Sequence, residues 1–238
     1  MSLRHVLSIG VAATAFALAT QAYAGVNLVE NGDFSAGNTG FTSDYHYVAQ
    51  PASPSTGYGV PPAYNSWNEQ TYGVGANSGL YRNAWSNVAG PGGSGDYMIV
   101  NGADSRPAPN TYFTVWEQSV AVSPGTTYDF SAEVASIYPT NPAKLNFFAN
   151  GVQIGASYTA GAPGVWGAFT TVLNVGSVTN IDLSVQDANL ATAGNDFGLA
   201  RISLSSAVPE PSTWAMLGLG AISLALGYRT RRQAISIV

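Results

Sequence analysis

Apolar and polar positions alternate most clearly at 128–134, where Tyr128, Phe130, Ala132 and Val134 are separated by Asp129, Ser131 and Glu133. That period of two predicts a half-buried strand, and 181–185 repeats it. Residues 145–149 and 152–156 face each other across Asn150-Gly151, a strong hairpin signal. Further apolar runs occupy 97–100, ending at Asn101-Gly102, then 113–122, closed by Ser123-Pro124-Gly125-Thr126, and 166–175. In 196–205, Phe197 and Leu199 share one parity while Ile202 and Leu204 share the other, which predicts a bulge or burial on both faces. Short strands, turn residues between them and no helical period from 25 to 207 predict an all-β fold, an antiparallel β-sandwich.

Residues 50–95 break the pattern. They are rich in Gly, Pro, Asn and Ser, and carry Tyr58, Tyr64, Trp67, Tyr72, Tyr81 and Trp85 with no sustained period. A structureless loop of that length is uncommon in a compact domain, so short strands should interrupt it, and function is a common reason for such a loop. Gly90-Pro91-Gly92-Gly93-Ser94-Gly95 lacks a following Gly-Lys-Ser/Thr and reads as a turn rather than a phosphate cradle.

Two apolar segments flank this region. At the start, Arg4 and His5 precede an apolar run over 6–19, and Ala22-Tyr23-Ala24 places small residues at Ala22 and Ala24, where a signal peptidase reads. At the end, residues 214–228 are uncharged and mostly apolar, and Arg229, Arg231 and Arg232 follow. Fifteen residues fall short of the roughly 20 of a stable span, so a transmembrane helix there is marginal. The arginines predict that the preceding domain lies outside the cytoplasm. Pro209 and Pro211 hold the segment before it extended. The expected organisation is a signal peptide at 1–24, a β-sandwich domain at 25–207, and a C-terminal signal at 208–232.

Composition narrows the function. Residues 25–207 hold twelve acidic and four basic side chains, a net charge of −8, which argues against nucleic acid and anionic membrane surfaces as partners. Charged residues make up 9% of the chain against a usual figure of about 25%, yet 46% of it is hydrophobic, so solubility rests on Asn, Ser, Thr and Gly around a real core. There is no cysteine, hence no disulfide, thiol nucleophile or Cys-type zinc site. His5 leaves with the signal peptide, and His46 alone supports neither a histidine metal cluster nor a catalytic triad. No cofactor, metal or catalytic residue is expected. Paired carboxylates of the glycosidase kind have no supporting motif.

Val208, Pro209, Glu210 and Pro211, the apolar segment and the arginine cluster together resemble the PEP-CTERM sorting signal of exported Gram-negative surface proteins. The resemblance implies recognition by an exosortase, transient residence in the inner membrane, removal of the helix, and delivery to the cell surface or extracellular matrix. The opening Asn27-Leu28-Val29-Glu30-Asn31-Gly32-Asp33-Phe34, with Asn195-Asp196-Phe197-Gly198-Leu199 near the end, resembles the galactose-binding-like jelly roll of carbohydrate-binding modules. That likeness implies a jelly-roll topology and polysaccharide binding. It also implies a calcium loop, but Ser35 and Ala200-Arg201 stand where the family has acidic residues, so little or no structural calcium is expected.

The expected function is therefore non-catalytic binding of extracellular polysaccharide. A matrix or adhesion component without glycan recognition, and a secreted glycoside hydrolase or lyase, are the alternatives. Sugar rings present apolar C–H faces and hydroxyl rims, which suit aromatic surfaces flanked by short polar side chains. Trp67 and Trp85, with Tyr64, Tyr72 and Tyr81, are the candidate binding residues, interleaved with Asn65, Asn68, Gln70, Asn77 and Asn83. Aromatic residues of a β-sandwich are most often core, so burial decides between the two readings.

Overall fold

A computed structural model describes residues 25–105 and 112–207, together with Gly218, Gly220 and Ile222. Gly25–Ala207 forms one compact unit. The expected signal peptide with Ala22 and Ala24, the sorting residues Val208, Pro209, Glu210, Pro211, Arg229, Arg231 and Arg232, and most of the 214–228 helix lie outside the described residues. Among the described residues no helix is long and apolar enough to cross a membrane.

The unit is built from strands. They are β1 (His46–Tyr47), β2 (Thr71–Gly75), β3 (Tyr97–Asn101), β4 (Thr114–Ala121), β5 (Thr127–Ser136), β6 (Lys144–Ala149), β7 (Val152–Gln153), β8 (Tyr158–Thr159), β9 (Gly167–Asn174), β10 (Asn180–Asp187) and β11 (Phe197–Ser206). One sheet runs β1-β2-β3-β11-β5-β9 and the other β4-β10-β6-β7, with β8 also pairing β6. All pairings are antiparallel except β1 with β2. From β3 to β6 the chain changes sheet at every strand, and it does so again between β9, β10 and β11.

The alternating strands bury one parity between the sheets. Phe130 and Phe169 of the larger sheet meet Phe147 of the smaller one, with Phe147 stacked on Phe169 at 4.0 Å between ring centroids. Leu183, Val185, Leu145 and Trp116 join them, all fully buried. Asn150 and Gly151 both take positive φ, 49° and 73°, which a two-residue hairpin turn requires. The parity change in β11 is a bulge: pairing with β5 shifts between Ala200 and Ser203, and Arg201 sits at φ 48°. Phe197, Leu199, Ile202 and Leu204 are all fully buried as a result.

β3 is different, because all five of its residues are buried. Met98 and Val100 face the inter-sheet core, while Tyr97 and Ile99 belong to a second cluster with Tyr81, Trp85, Val88, Ile137 and Ala200. The glycine-rich segment that follows β2 supplies Tyr81, Trp85 and Val88 to this second layer. Two glycines permit its close approach: a Cβ on Gly73 would lie 2.2 Å from the Tyr81 ring, and one on Gly198 would lie 2.7 Å from both Trp166 and Tyr97. Tyr97 fixes the layer with a hydroxyl that donates to the Val88 carbonyl at 2.6 Å and accepts from the Ser78 N–H at 3.0 Å.

Phe147→Ala removes a fully buried ring and should cost about 3–5 kcal/mol, whereas Val172→Ala, at an exposed strand position, should stay within about 0.5 kcal/mol. Urea unfolding of the two variants checks the assignment of the inter-sheet core.

Candidate functional site

The second layer does not cover the whole sheet, and a cavity of about 230 Å³ opens beside it. Its floor and walls include Glu69, Arg82, Asn101 and Asp196, with Tyr58 and Tyr138 among the lining rings and Thr192, Ala193 and Gly194 forming one side. Two larger hollows, of about 610 and 480 Å³, lie near Leu28 and the β4 edge. Neither is lined by a buried carboxyl or a basic side chain, whereas the smaller cavity holds both.

Each side of this cavity is built locally. The wall carrying Tyr58 is tied by Asn68, whose side chain accepts from the Gly59 N–H at 3.1 Å and from the Asn65 N–H at 3.0 Å and donates to the Gly59 carbonyl at 3.1 Å. Asn65 donates to the Gly57 carbonyl and accepts from the Trp67 N–H, and the Trp67 indole donates to the Ser55 carbonyl at 2.8 Å. Short Asx side chains replace a regular ladder here, as their reach to nearby backbone allows. Opposite, Gly194 sits at φ 100°, where an added Cβ would lie 2.1 Å from the Thr140 carbonyl oxygen.

Below this wall lies a polar knot. The Asp187 carboxylate accepts from the Ala103 N–H and from Asn195 Nδ2, which also donates to the carbonyls of Ala103 and Asn189. It holds β10 to the turn into β11 and places Asp196 at the cavity floor. Burial pushes the Asp187 carboxyl up to about 8.

Arg82 is the cation of the site, its side chain only 12% exposed. Its guanidinium carbon lies 4.1 Å from the Trp67 ring centroid and 5.5 Å from that of Trp85, and Nη1 is 3.9 Å from Asp196 Oδ2. The Trp85 indole donates to the same oxygen at 2.9 Å. Cation–π contacts of this kind contribute about 0.5–2 kcal/mol, more when desolvated. Burial pushes the Asp196 carboxyl up to about 6, against the pull of Arg82 and of the Trp85 N–H. Glu69 has no such partner: burial and the neighbouring Asp196 charge push it up to about 8, with Arg82 only partly opposing. Burial thus favours the neutral acid at Glu69 at pH 7, beside an Asp196 that is mainly ionised and the Arg82 guanidinium.

Several polar atoms in these walls are buried without a protein partner: Glu69 Oε2, Arg82 Nε, Asn101 Oδ1 and Asp196 Oδ1. Each costs about 1–3 kcal/mol if left unpaired. Donors and acceptors are mixed within one small volume. A ligand that offers hydroxyl groups, each donor and acceptor at once, matches this array. A second carboxylate would meet Asp196, and an ammonium would meet Arg82.

The five aromatic residues singled out by sequence divide between wall and core. Trp67 is half-buried, with one face under Arg82 and Tyr58 set edge-on at 5.9 Å. Tyr64 is exposed and stacks on His46 at 4.3 Å. Tyr81 and Trp85 are buried in the second layer, and Tyr72 is buried against Phe41 and Tyr47 with its hydroxyl donating to Asn38. Tyr81 and Trp85 are core side chains because β2 and β3 are covered on the face that a bare sandwich would leave open, whereas Tyr72 lies beside Val100 in the inter-sheet core. Sequence reasoning missed Glu69, Arg82, Asn101 and Asp196 as a group. Arg82 carried a signal, as one of the four basic residues of 25–207, placed within the aromatic stretch. At the positions where the resemblance places a calcium loop, Arg201 pairs with Glu133 at 3.2 Å and donates to the Pro91 carbonyl, and Asp33 accepts from Ser35.

The PEP-CTERM protein-sorting motif matches residues 207–232 of the chain. No curated protein matches it. Among solved structures, the CBM22-1 xylan-binding domain of Paenibacillus barcinonensis Xyn10C is similar at 13% identity and TM-score 0.45, over 80% of this chain and all of that one. A Stig cyclase, Fisc from Fischerella sp. TAU, is similar at 11% identity and TM-score 0.49, over 78% of this chain and 99% of that one. The Family 16 Carbohydrate Binding Module-2 has 13% identity and TM-score 0.42, over 75% and 99%.

Three carboxyls raised by burial set the pH response. From about pH 4 upward the folded chain holds protons that the unfolded chain has released, on Asp196 up to about pH 6 and on Glu69 and Asp187 up to about pH 8, so stability falls as pH rises through this range. Each tenfold rise in a carboxyl's proton affinity on folding is worth about 1.4 kcal/mol at most. The melting temperature should be lower at pH 8 than at pH 5 by about 5 °C or more. Scanning calorimetry on the full-length chain checks the sign; a higher value at pH 8 would refute the assigned protonation.

Proposed function

We propose that this is an exported cell-surface or matrix protein that binds neutral polysaccharide without cleaving it. We read the two interleaved sheets as a jelly roll. The observation that carries the binding reading is the cavity of Glu69, Arg82, Asn101 and Asp196, where buried donors and acceptors lack partners beneath an exposed Tyr58. A Tyr ring offers stacking area and a polar edge, which suits a sugar face. Tyr58 is the stacking residue in this reading, Trp67 backs it edge-on and carries Arg82 on its face, and Tyr64 is an outlying surface aromatic; Trp85 and Tyr81 support the site from the second layer, and Tyr72 lies in the inter-sheet core.

The sorting motif supports the export half of the reading. In it, residues 1–24 are removed, 25–207 is the working domain, and 208–232 is recognised by an exosortase at the inner membrane of a Gram-negative cell. Intact-mass measurement on surface protein from the native host should give a species that starts at Gly25 and lacks residues 229–238. A mature species retaining Arg229 would overturn the processing scheme.

Binding is checked on a glycan array with the full-length chain in detergent, followed by a reducing-sugar assay on each positive glycan. Neutral glycans should bind and no new reducing ends should form. Tyr58→Ala should weaken binding about tenfold or more with the melting temperature unchanged, since the ring is exposed. Trp85→Ala should instead cost about 3–5 kcal/mol of stability. New reducing ends would favour the hydrolase reading.

A further inference from the structure

We infer that the Glu69–Arg82–Asp196 cavity takes a single neutral sugar unit, and so grips a polysaccharide at a chain end rather than along its length. This rests on the binding reading above and specifies its ligand. Three observations carry it.

The first is size. The cavity of about 230 Å³ lies below the range of about 300–1,000 Å³ that houses drug-sized ligands. It has room for one ring and not for a run of them. The second is depth. Asp196 and Asn101 are 2% and 1% exposed, so a ligand that reaches their unpaired oxygens must enter the floor rather than lie across the rim. An internal sugar of a chain has linked neighbours on both sides and needs two exits from such a floor.

The third is that the walls are fixed. On one side the 58–68 segment is closed by the Asn65 and Asn68 side chains. On the other, the Ala193–Asn195 turn is clamped to Asn141, which donates through its side chain to the Ala193 carbonyl and accepts from the Asn195 N–H at 2.7 Å. Gly194 packs against the Thr140 carbonyl within that turn. Neither wall has slack to open a through-going groove. The mix of groups then selects charge: Arg82 and the carboxyls together leave no surplus of either sign to attract a uronic acid or an amino sugar.

The test uses the full-length chain in detergent and isothermal titration at pH 7. Probes are the methyl glycosides of glucose, galactose, mannose and xylose, the matching unbranched hexasaccharides, and the same hexasaccharides with the non-reducing terminal unit fully O-methylated. The expected result is that one methyl glycoside binds, that its hexasaccharide gains less than about threefold in affinity per chain, and that terminal methylation lowers binding more than about tenfold. Tyr58→Ala should weaken binding of both the methyl glycoside and its hexasaccharide by about tenfold or more, while Val172→Ala, at an exposed strand position outside the cavity, should stay within about threefold of the parent.

An affinity that climbs more than about tenfold from one unit to six, or hexasaccharides that bind equally well with the end methylated, would overturn end-on recognition and leave polysaccharide binding standing. Absence of binding to every probe and to every neutral glycan on the array would overturn both readings.

Discussion

The architecture depends on one packing relation: the Tyr81 ring lying against the bare backbone of Gly73, over a strand buried on both of its faces. A sandwich of two sheets ordinarily leaves its outer faces to water, and polar residues then alternate with apolar ones. Here the chain that leaves β2 folds back over the larger sheet, so Tyr97 and Ile99 are as buried as Met98 and Val100. With no disulfide to staple so loop-rich a segment, this apolar layer and the Tyr97 hydroxyl bonds carry the task. The layer also delivers Arg82 and Trp85 to the place where Asp196 leaves the turn into β11.

The electrostatics of the cavity follow from that delivery. Asp196 is buried beside Arg82 and accepts from Trp85, so its ionised form keeps some support. Glu69, close to the same negative charge and without a donor of its own, holds its proton. Two carboxyls of one cavity thus differ in protonation because one has partners and the other does not. The arrangement separates their hydrogen-bonding roles, donor and acceptor for Glu69 and acceptor for Asp196.

Much of the sandwich was legible in the sequence because period-two burial leaves a direct trace. The β5 alternation, the Asn150-Gly151 hairpin and the parity change at Ala200-Arg201 all correspond to elements of the structure. The β7 arm of the hairpin is shorter than the apolar run suggests, Val152–Gln153 in place of 152–156, because the chain turns away at Gly155. The 50–95 stretch was legible only as aromatic and turn-rich. Its β2 strand has the sequence Thr-Tyr-Gly-Val-Gly, buried without any alternation to mark it. The one sign of the covering layer was the unbroken apolar run of Tyr97-Met98-Ile99-Val100, which says that both faces are occupied but not by what. The site residues stayed hidden for a related reason: Glu69, Arg82 and Asp196 are ordinary charges until tertiary packing brings them together.

The segment around Tyr58 is held by asparagine side chains that bond to backbone a few residues away, and its outer residues contribute nothing to either core. Such a segment is specified by its own anchors rather than by the sandwich. Substitutions at the rim, at Tyr58, Val60 or Tyr64, leave those anchors in place, so descendants of this chain are free to diversify in what they recognise while inheriting one scaffold unchanged.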